Sequence, residues 1–241
     1  MSADKTLYLL DAYALIYRAF FGLSQNQIIN SKGQNTSAIL GFTNTLWDVL
    51  QNNNPTHIAV VFDTNKPTSR HTEFAEYKAN REEMPDDIRS AIPYIKQIIE
   101  AFDIPILFSD GYEADDVIGT LAKKAEKAGF TTYMMTPDKD FGQLVSENIF
   151  MYKPARMGNK AEVWGIKEVC DKFEITDPLQ VIDYLGMCGD AVDNIPGIPG
   201  VGDKTAKKFL KEYGSIENLH KNTHELKGKM KEKVEGSIEQ A

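Results

Sequence analysis

The stretch Ile58-Ala59-Val60-Val61-Phe62-Asp63 decides the fold, because five apolar residues run without a break and end on a carboxylate. Such a run is typical of a strand that is buried on both faces of a parallel sheet. Leu7-Tyr8-Leu9-Leu10-Asp11 repeats the pattern, and residues 104–108, 131–135 and 149–152 are further strand candidates. We therefore predict a mostly parallel sheet.

Helical patterns alternate with these strands over residues 36–51, 86–102 and 114–128, where apolar residues recur at helical spacing. This succession predicts a doubly wound α/β fold with helices on both faces of the sheet.

After Asp177-Pro178 the strand signals stop and short helical patterns replace them, over residues 179–188, 203–213, 216–219 and 223–234. We predict two domains, a core over residues 1–177 and a helical lobe over residues 178–241.

Composition limits the classes of function. With 42% hydrophobic and 26% charged residues the chain is neither disordered nor membrane-spanning. Two distant cysteines and four unclustered histidines argue against a zinc site or a disulfide scaffold. The net charge of −8 argues, taken alone, against a nucleic-acid partner, because phosphate binding usually leaves a basic footprint.

Three acids, Asp11, Asp63 and Asp138, follow predicted strands, and the ends of the strands are where open α/β sheets bind ligands. Further acids lie at predicted helix entries, and two more lie three residues apart after Gly189. Helix capping explains any one of the acids alone, but their number favours a shared function. The nine residues are Asp11, Asp63, Glu113, Asp115, Asp116, Asp138, Asp140, Asp190 and Asp193.

Nine neighbouring carboxylates need compensating cations, because like charges ~4 Å apart repel by ~4 kcal/mol at an effective dielectric constant of 20. Hard divalent cations with oxygen ligands meet this need, and Mg²⁺ leaves some of the acids to orient its water ligands. A site with two such ions would stabilise the attacking and leaving oxygens of phosphodiester hydrolysis.

Two stretches could bind phosphates. In Tyr77-Lys78-Ala79-Asn80-Arg81, which follows Arg70-His71, Lys78 and Arg81 share one face if the segment is helical. The alternative is a solvated basic face. The Gly-rich turn over residues 197–202 would point backbone N–H groups at an anion, and the alternative there is a plain turn.

The motifs follow one another over roughly residues 6 to 234. They are Leu9-Leu10-Asp11-Ala12-Tyr13, Phe62-Asp63, Arg70-His71, Tyr77 to Arg81, Asp110-Gly111-Tyr112-Glu113-Ala114-Asp115-Asp116, Thr136-Pro137-Asp138-Lys139-Asp140, Gly189-Asp190 through Asp193-Asn194, and Gly197 to Lys204. Together, and in this order, they resemble the 5′-nuclease (flap endonuclease) family, and most of all its bacterial DNA polymerase I exonuclease domains.

The resemblance implies a PIN-like α/β core with an arch or gateway at about residues 65–95, and a helix–three-turn–helix lobe that binds duplex DNA. It implies hydrolysis of phosphodiester bonds near a 5′ end with two or more Mg²⁺ ions, which Mn²⁺ can replace. Binding of K⁺ at the Gly197–Gly202 turn is left open. The implied partners are DNA with a 5′ flap, nick or junction, an RNA–DNA primer, and a covalently attached polymerase domain. We expect a monomer in the bacterial cytoplasm, at the nucleoid and away from membranes.

The same resemblance assigns roles to residues. Asp11, Asp63, Glu113, Asp115 and Asp116 match the tighter metal group, and Asp138, Asp140, Asp190 and Asp193 match the second group. The catalytic residues it implies are Lys78, Arg81, Asp115 and Asp116. The DNA contacts it implies are Arg70, Tyr77, Lys78, Arg81, Gly197, Gly200, Gly202, Lys204, Thr205 and Lys208.

The chain departs from the family pattern at Ser69, where an aromatic residue is usual, and at Thr72, where Glu is common. The family's domains usually continue past residue 241, so we expect the helical lobe to be truncated. One alternative function is a non-catalytic module that binds DNA junctions. Another is a phosphohydrolase with an Asp nucleophile, which is disfavoured because Asp11-Ala12-Tyr13 lacks the second acid of a DxD motif.

Overall fold

The computed structural model describes residues 5–64, 66–155 and 160–237, which form two compact units. The first comprises the residues up to Thr68, Glu83–Phe141 and Glu147–Val163, and the second comprises Ser69–Glu82, Gly142–Ser146 and the residues from Trp164 onward. The outer ends of the two predicted domains, at residues 1 and 241, lie outside the described residues, as does residue 65 at the start of the predicted arch.

A six-stranded sheet organises the first unit. The strands are β1 Thr6–Asp11, β2 His57–Val61, β3 Ile106–Leu107, β4 Thr131–Met135, β5 Ile149–Lys153 and β6 Glu162–Trp164. Their order in the sheet is β3-β2-β1-β4-β5-β6, and the β1–β2, β1–β4, β2–β3 and β4–β5 pairings are parallel.

The direction of the chain across the sheet reverses between β1 and β4. From β1 the chain adds β2 and β3 on one side, and it then returns to add β4 and β5 on the other. In open α/β sheets, ligands bind outside the carboxyl ends of the strands at such a reversal. The end of β1, at Asp11, and the end of β4 therefore mark the expected site.

Four helices cover the sheet: α1 Ala12–Gly22, α2 Ser37–Asn52, α4 Asp86–Ala101 and α5 Ala114–Lys127. The buried core joins sheet and helices through large side chains such as Leu10, Val60, Phe42, Ile95 and Ile99. The predicted doubly wound, mostly parallel fold is confirmed.

The second unit is mainly helical, and the predicted C-terminal helical lobe is confirmed. A short antiparallel pair, β7 Gly189–Asp190 and β8 Ile195–Pro196, lies between two of its helices. The helices are α3 Ser69–Glu73, α6 Ile166–Phe173, α7 Gln180–Cys188, α8 Asp203–Tyr213, α9 Ile216–Lys221 and α10 Gly228–Glu235.

Some predicted elements differ from the observed ones. The helix predicted over residues 223–234 is wrong, because a 3₁₀ turn over Thr223–Glu225 and α10 are separated by Leu226 and Lys227 in extended conformations. Gly228, at the start of α10, has a φ of +57°. The strand predicted over residues 104–108 is shorter, and α1, α3, α6 and β6 were not predicted.

Candidate functional site

Asp11 lies at the end of β1, and its side chain contacts the residue after β4. It therefore links the two strands between which the direction of the chain across the sheet reverses. Its side chain is 6% exposed, and its Oδ1 accepts a hydrogen bond from the backbone N–H of Ala14 at 3.1 Å, which caps α1. Its Oδ2 accepts a hydrogen bond from the hydroxyl of Thr136, directly after β4, at 3.1 Å. The carboxylate is thus fixed between the ends of β1 and β4.

The pKa of Asp11 is raised from 3.8 to about 6, mainly by burial and to a smaller extent by the negative charges of Asp63 and Asp138. The hydrogen bonds from Ala14 and Thr136 lower the pKa but do not outweigh burial. The fold therefore holds the Asp11 carboxylate within electrostatic range of two other acids, where a cation would stabilise the ionised form.

Asp63 ties the end of β2 to the start of α5. Its Oδ1 accepts a hydrogen bond from the backbone N–H of Ala114 at 2.7 Å, at the helix N-terminus, where the helix dipole favours negative charge. In the same turn the N–H of Glu113 donates to Asp116 at 3.1 Å, and Glu113 is 7% exposed. Asp115 lies half-buried in this first turn.

Asp138 and Asp140 lie in the turn after β4. The N–H of Asp138 donates to Thr136 Oγ1 at 3.2 Å, and the N–H of Asp140 donates to Asp138 Oδ1 at 3.0 Å. Thr136 therefore links this turn to Asp11. Thr136 belongs to the motif Thr136-Pro137-Asp138-Lys139-Asp140 but was assigned no role from the sequence, although its position directly after a buried strand was the signal for one.

The first unit thus brings together the ends of β1, β2 and β4 and the start of α5, as the sequence predicts. Among residues 5–64, 66–155 and 160–237, no three Asp, Glu, His or Cys side chains are arranged to hold a metal ion as they stand. The donor set nevertheless fits a hard divalent cation. All of its atoms are oxygens, and the buried Asp11 carboxylate adjoins two further acids.

In the second unit, three basic or polar side chains contact the Asp193 carboxylate. Arg81 Nη2 lies 2.5 Å from its Oδ1, the Tyr77 hydroxyl donates to its Oδ2 at 3.2 Å, and Lys78 Nζ lies 3.8 Å from the same oxygen. The predicted cation pair and a predicted acid are therefore in contact.

The helix assumed for this cation pair is absent. α3 ends at Glu73, residues 75–80 form turns, and Lys78 has a φ of +57°, in the left-handed region. The N–H of Arg81 donates to the carbonyl oxygen of Lys78 at 3.1 Å in a single turn, and both side chains contact Asp193.

Tyr77 is 6% exposed, and its ring meets the His71 ring edge-on at 5.2 Å, while Lys78 Nζ lies 4.8 Å from its centre. Its role within this unit is packing and positioning, and its contribution to DNA binding stays a prediction. Arg70 lies half-buried in α3.

The turn around Asp193 is itself tightly structured. Asp190 Oδ1 accepts the backbone N–H groups of Val192 at 2.8 Å and of Asp193 at 3.4 Å. Two asparagines of the quoted motifs that were assigned no role from the sequence, Asn80 and Asn194, connect this turn to residues 76–81.

The Gly-rich turn leads into α8. Gly200 has a φ of +80°, and Gly202 is the N-cap residue of α8, so the cap residue itself makes no side-chain hydrogen bond to the first turn. A Cβ atom on Gly200 would lie 2.6 Å from Lys233 Nζ, which places a cation beside the turn. Lys204 and Lys208 are exposed on α8, and Thr205 is half-buried. The turn thus combines backbone N–H groups with lysines, as an anion site requires.

Two family models together match most of this chain. "5'-3' exonuclease, N-terminal resolvase-like domain" matches residues 6–174, and "5'-3' exonuclease, C-terminal SAM fold" matches residues 176–241. The chain belongs to the 5'-3' exonuclease family.

Curated relatives agree with membership of the 5'-3' exonuclease family. DNA polymerase I of Bacillus subtilis is 41% identical over 242 residues, which cover 100% of this chain and 27% of that protein. The 5'-3' exonuclease of Aquifex aeolicus is 44% identical over 218 residues, which cover 90% of this chain and 73% of that protein. The chain thus spans about a quarter of the length of the first of these relatives.

Solved structures support the fold of this 5'-3' exonuclease family member. A phage T5 5'-exonuclease structure with bound zinc ions has a TM-score of 0.78 at 19% identity, and covers 98% of this chain and 86% of that one. The catalytic core of Rad2 in complex with a DNA substrate has a TM-score of 0.61 at 18% identity, and covers 99% of this chain and 73% of that one. No helix in the described part of the chain is long and apolar enough to cross a membrane.

Proposed function

We propose that this chain is a structure-selective 5′ nuclease that uses divalent metal ions to hydrolyse phosphodiester bonds at 5′ flaps, nicks and junctions. The observation that carries this proposal is the buried Asp11 carboxylate. It lies where the sheet reverses, within electrostatic range of Asp63 and Asp138, in a member of the 5'-3' exonuclease family. Primer removal and DNA repair are the roles that such an activity would serve.

Mg²⁺, when bound, supplies positive charge to the attacking and leaving oxygens of the phosphodiester. In the proposed site, Asp11, Asp63, Glu113 and Asp116, with Asp115, form the tighter group. The second group, Asp138, Asp140, Asp190 and Asp193, stays a prediction from the family resemblance, as does K⁺ at the Gly197–Gly202 turn.

The chain's own residues would perform the remaining steps. Thr136 and the N-terminus of α5 hold Asp11 and Asp63 in place, so that these acids need little reorganisation when a cation binds. Lys78 and Arg81 would stabilise the charge that develops on the scissile phosphate. The Gly197–Gly202 turn with Lys204 and Lys208 would hold the duplex backbone without reading its sequence.

The test is cleavage of a 5′-flap duplex. We expect cleavage with Mg²⁺ and none with EDTA, and a loss of about 100-fold or more in the double variant Asp115→Asn with Asp116→Asn. A double variant at exposed acids outside the nine proposed ligands, Asp103→Asn with Asp171→Asn, is the control and should cleave like the wild type.

Cleavage that survives EDTA, or that survives the Asp115 and Asp116 substitutions, would rule out the metal mechanism. Salt-dependent binding of the junction without cleavage would instead favour the alternative of a non-catalytic DNA-binding module.

A further inference from the structure

We infer that Asn80 and Asn194 are positioning residues that hold Lys78 and Arg81 in register with the turn around Asp193. The Asn80 side-chain amide donates to the carbonyl oxygen of Ala191 at 2.8 Å. The Asn194 side-chain amide donates in the opposite direction, to the carbonyl oxygen of Glu76 at 2.7 Å. We call this reciprocal pair of hydrogen bonds the amide clasp. The inference rests on the proposed function, because it concerns how the cations are placed for cleavage.

A backbone hydrogen bond lies between the two halves of the amide clasp. The N–H of Lys78 donates to the carbonyl oxygen of Asp193 at 2.9 Å. Three hydrogen bonds to main-chain oxygens therefore run between residues 76–80 and 191–194, and together they fix the position of one segment against the other.

The conformation of both segments depends on this pairing. Lys78 has a φ of +57° and Asn194 has a φ of +59°. Asparagine tolerates this left-handed region better than most residues, but lysine is strained there. Strained residues persist when the surrounding contacts hold them, and the amide clasp provides such contacts on either side of Lys78.

The amide clasp differs in kind from the ionic contacts of Asp193. The contacts from Arg81 and Lys78 depend on the charge of the Asp193 carboxylate, and they weaken with salt or when a cation or phosphate approaches. Hydrogen bonds from neutral amides to carbonyl oxygens do not. The amide clasp therefore keeps residues 76–81 in place while Lys78 and Arg81 exchange Asp193 for the substrate phosphate.

The experiment compares hydrogen exchange and kinetics in matched variants. Asn80→Asp keeps the side-chain shape but removes the donor, Asn194→Gly keeps the left-handed conformation but removes the amide, and the double variant removes both. Asn26→Asp, at an exposed asparagine of the first unit, controls for the added charge. Melting temperatures establish that each variant is folded.

The first readout is amide exchange of residues 76–81, in EDTA and again with Mg²⁺. We expect exchange to rise roughly fivefold for each hydrogen bond lost, and to remain unchanged in the control. The second readout is flap cleavage. For the charge-neutral variant Asn194→Gly, we expect kcat to fall by a similar factor while KM changes less than about twofold, because the charges that attract DNA remain while their placement is lost.

Unchanged exchange in the double variant would overturn the amide clasp, whatever the activity. Faster exchange with wild-type kcat would overturn its role in positioning the cations. If the wild type does not cleave a flap, the proposed function fails, and the exchange result still decides whether the amide clasp holds the segment.

Discussion

At the scale of single residues, Asp11 is both the N-cap of α1 and a buried candidate metal ligand. As an N-cap of α1 it is an ordinary structural residue, and N-caps are commonly exposed. Asp11 is instead 6% exposed and lies near two other acids, so its ionised form is unfavourable without a cation. A residue selected only for capping would not need such surroundings.

Asp11 therefore predicts an unusual pH dependence in the metal-free protein. Its pKa is raised from 3.8 to about 6 on folding, so between these values the folded state holds the proton more tightly than the unfolded state does. Its contribution to the free energy of unfolding is present below pH ~4 and falls by about 3 kcal/mol as the pH rises through 6. Urea unfolding in EDTA at pH 5 and pH 7.5 measures the upper part of this fall, about 1.4 kcal/mol, because the rest occurs below pH 5.

The isosteric variant Asp11→Asn is the control for that measurement, because its amide does not titrate. We expect the variant to lose the Asp11 component of the pH dependence, and at pH 7.5 to be more stable than the metal-free wild type. Identical pH dependence in both proteins would show that Asp11 is not a destabilised carboxylate.

Single residues also show what the sequence could predict. Asp11 and Asp63 were predictable because a strand followed by an acid is a local pattern, and the parallel sheet brings strand ends to one edge. Asn80 and Asn194 were not, because their partners Ala191 and Glu76 are more than a hundred residues away along the chain. Main-chain acceptors leave no signal in the sequence.

At the scale of elements, the segment after α3 shows where periodicity misleads. Lys78 and Arg81 have helical spacing, but no helix joins them, and their shared contact is Asp193. α1 was missed for the opposite reason, since it begins directly after β1 with no Gly or Pro between them. Its one start signal was the N-cap Asp11, which was also a candidate ligand.

The turn between β8 and α8 gives a prediction at this scale. A Cβ atom on Gly197 would lie 2.3 Å from the backbone N of Gly189 and from the backbone C of Cys188, whereas nothing lies within 4 Å of a Cβ atom on Gly202. We expect Gly197→Ala to lower the free energy of unfolding by about 3 kcal/mol or more, because two backbones must separate. Gly202→Ala should change it by less than about 1 kcal/mol.

Chemical denaturation followed by circular dichroism compares the two variants directly, with Gly202→Ala as the control for adding a methyl group to the same turn. Equal stability of Gly197→Ala and Gly202→Ala would contradict the close approach of β7 and β8 at Gly197.

At the scale of the whole molecule, the arrangement of charge matters more than its sum. The net charge of −8 argued against nucleic acid, yet the nine predicted acids alone exceed that surplus. Strand order explains the position of the tighter metal group around Asp11. The direction of the chain across the sheet reverses between β1 and β4, which is where Asp11 and Thr136 are hydrogen-bonded. The sheet and the helical lobe were predictable from patterns of apolar residues, whereas short elements such as β7 and β8 depend on distant pairing.

The most direct test of the central claim is a crystal structure with bound Mn²⁺, in which anomalous scattering locates the ions. We expect an ion at coordination distance, about 2.1 Å, from carboxylate oxygens of the Asp11, Asp63 and Asp116 group, and a second ion at Asp138. Saturating Mn²⁺ with no ion at these carboxylates, in a protein that still cleaves the flap, would contradict it.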